Sequence, residues 1–454
     1  MFKKIHTFFY TFLLALSFSA QAQTSPVPEI PQVPYVAPSI RILYINNNTG
    51  DDDSGDGSID TPWSTLSHAA TKLQQGDKLV VVGTGTEYNT AYVNFGEASA
   101  VSDWLVIEGE NGPNGERATL TGRVTINANS NNVVLRNLYF SGSGSSGYNI
   151  LVQNNANLLV FEDIEVDCQS SSNSDAGIVL LEDTRDVWFS GVTTQNCGYS
   201  GIRNFSSGIL LSGYNITNIV FSNVVSRNNN SDGLGGFSAI SHGHIYFENC
   251  LSEDNEGDGF DIGGQQVVII NSIARNNGGY QGTGFKVWAH DTWLVGSKAI
   301  DNDRAGVSGK PQHAGDNKLY ILNSAFLRNN TSNYGGQIST HPDKPATSSG
   351  NTFEITIQDT VFYSINTGGI FIANDDTQSL VNEGNNYYFM HYDPLLTKNH
   401  TYVDALNFRN NGGTTEVATF SFSDVDSGGL WSQCGGSRCY GNGLGNIGAT
   451  SAAH

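Results

Sequence analysis

Two triplets one repeat apart, Gly259-Phe260-Asp261 and Gly284-Phe285-Lys286, put a carboxylate and an amine into the same local context. If that context repeats in space, an acid and a base stand on neighbouring layers. Acids gather around them. Asp232 and Asp258 stand eleven residues after Phe221 and Phe247, each followed by Gly and an apolar residue, and Glu253, Asp254 and Glu256 lie just before Asp258. Stacked strands would bring Asp232 and Asp258 to about 4.8 Å, and like charges that close repel unless something neutralises them. Oxygen ligands at this density suit Ca²⁺, which takes six to eight in flexible geometry. The lack of a His or Cys cluster disfavours a transition metal. Asp232, Asp258, Asp261 and Asp254 are therefore expected to ligate Ca²⁺; the competing reading is ordinary turn acids, since Asp-Gly is a common turn dipeptide.

A lysine beside a bound dication loses part of its preference for the charged form and can serve as a general base. Lys286 is the expected base. The alternative is a surface ion pair with Asp261 of little energetic weight. The reaction calling for both groups is C5 proton abstraction from a uronic acid polymer, the developing charge being held by a cation, followed by expulsion of the C4 substituent. The formal charge of −21 excludes a basic nucleic-acid surface and admits an acidic polysaccharide only through a bridging cation. Substrate contacts are expected from Arg203, whose offset matches that of Asp261, from Trp288 and His290 after the lysine, and from Arg304 and Lys310 on the next turn. Aromatic faces suit sugar rings and Arg suits carboxylates. Asp291 and Trp293 accompany Trp288 and His290, Trp293 reading equally as a core residue. His313 is a weaker candidate donor to a leaving oxygen, and His242 and His244 read as turn residues before a strand rather than metal ligands.

What must position these groups is a repeat. Segments of 22 to 32 residues read as an apolar strand, Asn, then a Gly-containing turn, with Phe161, Phe189, Phe221, Phe247, Ile269, Leu294 and Ile321 as anchors. Eight residues after each stand Gln169, Cys197, Asn229, Asn255, Asn277, Asn302 and Asn329, a column that stacked turns would join into a hydrogen-bonded ladder. The strand pieces are β-branched and aromatic, and the gaps are too short for crossover helices, so the expected fold is an all-β parallel β-helix spanning 40–375. The 52 glycines fit short strands and tight turns. Pro62 to Leu73 reads as a helix capped by Thr61 that would plug the N-terminal end of the coil. Before it, 1–22 reads as a secretory signal peptide, with Lys3 and Lys4 ahead of an apolar run too short to span a membrane, and 23–39 as a proline-spaced linker. The mature chain is thus expected to be soluble, outside the cytoplasm and monomeric. After 375 the repeat fades, and 376–454 reads as strands that complete, cap or flank the coil. Five Cys include Cys434 and Cys439, expected to pair locally; Cys168 with Cys197 is possible and not compelled.

At Gly257-Asp258-Gly259-Phe260-Asp261, with Asp232 and Gly284-Phe285-Lys286, the chain resembles polysaccharide lyase family 9, the right-handed β-helical pectate lyases with a calcium site and a catalytic lysine. The resemblance implies a right-handed coil, a calcium-dependent β-elimination, Asp232 as the preceding-rung ligand and Lys286 as the base. Gly257 stands where the family has a further Asp, a ligand that Asp254 or Glu256 would have to replace. A glycoside hydrolase using Asp258 and Asp261, a C5 epimerase, and a non-catalytic carbohydrate-binding or adhesive solenoid share the same fold-level expectations.

Overall fold

The computed structural model describes residues 27–36, 39–96, 103–142, 147–169, 176–198, 208–236, 242–279, 282–309, 316–329, 337–340, 352–364, 371–372, 378–382 and 387–390. Their strands join one 32-stranded sheet that coils as a parallel β-helix. The seven anchors fall in one register column, Phe161, Phe189, Phe221, Phe247, Ile269, Leu294 and Ile321, each paired with the next. They point inward. The phenyl rings of Phe161, Phe189, Phe221 and Phe247 stack with centroids 4.9, 4.9 and 4.6 Å apart, so the strand spacing itself sets an offset-stacked core.

Each corner after an anchor needs a left-handed residue, and the sequence supplies Asn, Gly or Asp: Asn223, Asn249 and Asn271 have φ of 54°, 54° and 49°, Gly191 and Gly296 hold the same place, and Asp163 takes it with φ 50°. The expected ladder follows. Asn229, Asn255, Asn277 and Asn302 each donate from Nδ2 to the next Oδ1 at 2.8, 2.9, 2.9 and 2.7 Å, ending on Asn329. Counting placed Gln169 in this column, but its turn is one residue shorter. Cys168 takes the inward place and is disulfide-bonded to Cys197, while the exposed Gln169 donates to Ser141 Oγ. A second ladder went unread in the sequence. Cys250, Ser272 and Ser297 each donate a backbone N–H to the hydroxyl one rung on, at Ser272, Ser297 and Ser324. Cys250 is a buried free thiol, which burial pushes up to about 12.

Two N-terminal expectations need correction. The helix is shorter than Pro62 to Leu73: it runs Leu66–Ala70 with Thr65, not Thr61, as N-cap, because Thr65 is extended and its hydroxyl accepts from His68 N–H at 3.1 Å. Trp63 is therefore free to bridge to Ile45, and Leu66 and Ala69 enter the core. The described part of the proline-spaced segment, 27–36, is extended but docked. Ile30 and Val36 pack against the outward stripe that includes Trp104, Val134, Val160 and Trp188, and Trp188 Nε1 donates to Pro31 O. Residues 1–22, 391–454, Cys434 and Cys439 lie outside the described residues. No helix among the described residues is long and apolar enough to cross a membrane.

Candidate active site

Two strands are exceptional for length. Phe260–Ile270 and Phe285–Val295 run eleven residues each, whereas the rungs on either side are split into Leu234–Gly236 with His244–Glu248, and Val307–Gly309 with Asp316–Leu322. Small residues let the long strands turn without a loop. Gly264 pairs with Ala289 at the bend, and a Cβ on Gly264 would lie 2.8 Å from the carbonyl oxygen of Gly243. Along the first half of Phe285–Val295 the alternation is strict, and in Phe260–Ile270 it holds as far as Ile262, before the buried Gly263 and Gly264. Phe260, Ile262, Phe285, Val287 and Ala289 are buried, and Asp261, Lys286, Trp288 and His290 alternate with them outward.

The register brings the sequence's acid and base together. Asp261 pairs with Lys286, with Gly235 before and Ser308 after them, as the shared Gly-Phe context implied. Lys286 Nζ donates to Asp258 Oδ2 at 2.8 Å and to Asp261 Oδ2 at 2.9 Å, and Asp232, Asp258 and Asp261 offer oxygens all within 4.8 Å of one another. Backbone groups hold this cluster. Asp258 N–H donates to Asp232 Oδ1 at 2.8 Å, and Thr283 N–H donates to Asp258 Oδ1 at 2.7 Å. These two donors could not have been read from residue types, because any residue carries them.

Electrostatics here are unbalanced. Burial and the neighbouring Asp261 and Asp258 push Asp232 well above the usual carboxylate range. Burial raises Asp261 to about 6, with Asp258 adding to the rise and Lys286 opposing it. For Lys286, burial disfavours the charge, but Asp258, Asp261 and Asp232 together outweigh it, so the ammonium is held above its ordinary range. Among these residues alone the amine is thus the cluster's own counter-ion, whereas the lowered lysine expected from the sequence belongs to a site with a dication beside it. Three carboxylates facing one ammonium remain short of positive charge, and an all-oxygen donor set of this spacing fits a hard divalent cation such as Ca²⁺.

Gly257 cannot carry the missing ligand on this backbone. A Cβ there would lie 2.4 Å from Asp232 Oδ1 and 2.7 Å from the carbonyl carbon of Ser231, so Asp232 occupies the space. Neither expected substitute joins the cluster. Asp254 is exposed, with φ 54° at the corner before the ladder residue Asn255, and Glu256 is exposed over Gly279. Glu253 pairs with Arg275 instead.

Among the other candidates, Trp288 and His290 share the outward face with Lys286. The ammonium lies 4.9 Å from the Trp288 ring centroid, and His290 Nδ1 lies 3.4 Å from Asp291 Oδ2. Trp293 is buried in the outer stripe, stacked on Tyr320. Arg304 is half-buried in the turn before Val307–Gly309, its N–H donating to Gly282 O. His242 is fully buried and His244 exposed, so the two do not form a ligand pair. Arg203, Lys310 and His313 lie outside the described residues.

The family model described as right handed beta helix region matches residues 123–299, which sets the hand of the coil. Among solved structures, the chain is similar to the mannuronan C-5 epimerase AlgE6 A-module of Azotobacter vinelandii, at 14% identity and a TM-score of 0.53, covering 78% of this chain and 94% of that one. The AlgE4 A-module of the same organism matches at 15% identity and a TM-score of 0.50, over 72% and 92% of the two chains. Pectate lyase Pel9A matches at 20% identity and a TM-score of 0.45, over 76% and 80%. At these identities the likeness is one of fold. No curated protein matches the chain.

Proposed function

We propose that the chain is an extracytoplasmic, monomeric lyase that cleaves a uronic acid-containing, pectate-like polysaccharide by β-elimination, with Lys286 as base. The observation carrying this reading is the contact of Lys286 Nζ with Asp258 and Asp261 beside Asp232, an amine and a carboxylate trio on one largely buried face. Asp232, Asp258 and Asp261 would hold a calcium ion, which when bound supplies positive charge to a substrate carboxylate.

The chain's own residues do the rest. Asp232 and Asp258 are fixed by backbone N–H donors in the stacked turns that lead into the strands, so they need little reorganisation. Lys286 rests as an ammonium, and it becomes a base only once its contacts with Asp258 and Asp261, which hold its pKa high, are given up and its extra proton passes to solvent. The freed amine takes the C5 proton; the C5 electron pair forms the C4–C5 double bond; the C4–O bond breaks, and the leaving oxygen is protonated from solvent. No water is consumed.

The hydrolase alternative is disfavoured for the pair Asp258 and Asp261. Their oxygens lie within 4.8 Å and share one ammonium, closer than the roughly 5–9.5 Å that the two glycosidase mechanisms use. Purified protein incubated with pectate, alginate, glucuronan or a glycosaminoglycan in calcium should generate an ultraviolet-absorbing unsaturated end group on at least one of them. New reducing ends without that absorbance would indicate hydrolysis, and inverted C5 without chain shortening an epimerase.

A further inference from the structure

Resting on that reading of the site, we propose that the buried hydroxyls of Ser226 and Ser252 are positioning groups that tie the asparagine ladder to the two turns carrying Asp232 and Asp258. The serines are cross-strand neighbours in one inward column that runs Thr194, Ser226, Ser252, Ala274, Ala299. Ser226 Oγ donates to Gly233 O at 2.7 Å and Ser252 Oγ donates to Gly259 O at 2.7 Å, so each grips the carbonyl of the residue that follows an acid of the trio. A carbonyl only accepts, which fixes the hydroxyl hydrogen toward it and leaves the hydroxyl oxygen to accept from the ladder. Asn229 Nδ2 donates to Ser226 Oγ at 3.0 Å, and Asn255 Nδ2 donates to Ser252 Oγ at 2.9 Å. Thr194, at the head of the column, donates to Ser226 Oγ at 3.1 Å.

The ladder itself does not call for these hydroxyls. On the next two rungs, where the column holds alanine, Asn277 Nδ2 donates to Ser252 O and Asn302 Oδ1, and Asn302 Nδ2 donates to Ala274 O and Asn329 Oδ1. Those rungs carry Thr283 and Ala305, not an acid, before Gly284 and Gly306, the glycines in register with Gly233 and Gly259. Serine therefore stands on the two rungs with an Asp before that glycine, and alanine on the two without. A hydroxyl in the core is costly unless it is bonded, and both serines are fully buried, so the bond to the turn carbonyl is what makes serine tolerable there. Gly259 lies between Asp258 and Asp261, so holding its peptide plane holds the spacing of two carboxylates that repel each other. Rigidity of this kind is one of the determinants of calcium affinity.

The test is calorimetric titration of the full chain with Ca²⁺ alone, alongside thermal unfolding in chelator. Ser252→Ala should fold, because Gly259 O keeps the Leu234 N–H at 3.0 Å and Asn255 Nδ2 keeps Asn277 Oδ1 at 2.9 Å. Its affinity for Ca²⁺ is expected to fall about tenfold, the lower end of the range for groups that orient metal ligands. Ser226→Ala is expected to act in the same direction through Asp232, and Ser252→Thr, a residue type the column already holds at Thr194, to recover most of the loss. Ser297→Ala removes an equally buried hydroxyl from the other ladder, and is expected to lower the melting temperature with Ca²⁺ affinity unchanged. Native affinity in either folded alanine variant of the pair, or an equal loss in Ser297→Ala, would overturn the positioning role and leave the lyase reading standing. A native chain that binds no Ca²⁺ would instead overturn the calcium reading of the site, and the positioning role with it.

Discussion

Two stacked sets of side chains run down this coil and meet opposite fates. In the Asn229 to Asn329 corner each amide is both donor and acceptor, so stacking the same residue on every rung satisfies its neighbours at 2.7 to 2.9 Å. On the face carrying Asp232, Asp258 and Asp261 the repeated group only accepts, and stacking accumulates charge that one lysine partly offsets. Repetition is stabilising for an amide and costly for a carboxylate. The coil therefore keeps its structural ladder inside and its unbalanced column outward, where a cation or a substrate can complete it.

Removing Lys286 should break the second column most severely. Lys286→Ala is expected to lower kcat by about 10²- to 10⁴-fold, the range for loss of a general base, with binding of the polymer retained in calcium. The same variant sharpens the electrostatic half of the comparison. Without the ammonium the three carboxylates have no counter-ion, so chelator should depress the melting temperature of Lys286→Ala more than that of the native chain, and calcium should restore it. Equal responses to chelator would mean that the trio does not hold the ion. In the first column, Asn277→Ala removes the oxygen that accepts from Asn255 N–H and Nδ2, and the Nδ2 that donates to Asn302 Oδ1 and Ser252 O, and should cost about 2–3 kcal/mol in denaturant unfolding. A loss under about 1 kcal/mol would show the ladder to be decorative.

The sequence made the first column legible because counting from the anchors suffices where every turn has the same length. It failed only at Gln169, where a turn one residue shorter moved Cys168 inward. The second column was legible through context instead. The shared Gly-Phe predicted the Asp261 to Lys286 register although the lysine turn is longer. Local spacing could not give the charge state of Lys286, which depends on carboxylates from two other rungs, nor the loss of Asp254 to a left-handed corner, nor the filling of the Gly257 site by Asp232. The Thr65 cap, in turn, was hidden because Thr61 and Pro62 form a locally plausible start that Trp63 overrides by bridging to Ile45.

His242 belongs to neither column and tests what a coil interior does with a polar group that has no stacked partner. It is fully buried beside Gly264, both ring nitrogens lack a hydrogen-bond partner, and burial lowers its pKa to about 4. The sign follows from linkage. The unfolded chain takes up a proton near the ordinary histidine value while the folded one resists it, so the neutral-imidazole contribution is whole above about pH 6.5 and drains away as pH falls toward about 4. At pH 5 the expected loss is about 2 kcal/mol relative to pH 7.5. His242→Leu, which keeps the volume and removes the titration, should flatten that limb of the stability curve, measured in calcium so that Asp232 and Asp261 do not titrate over the same range with the opposite sign. An acid limb of unchanged steepness in His242→Leu would assign the loss to other groups and show that the interior accommodates a charged imidazole at this corner.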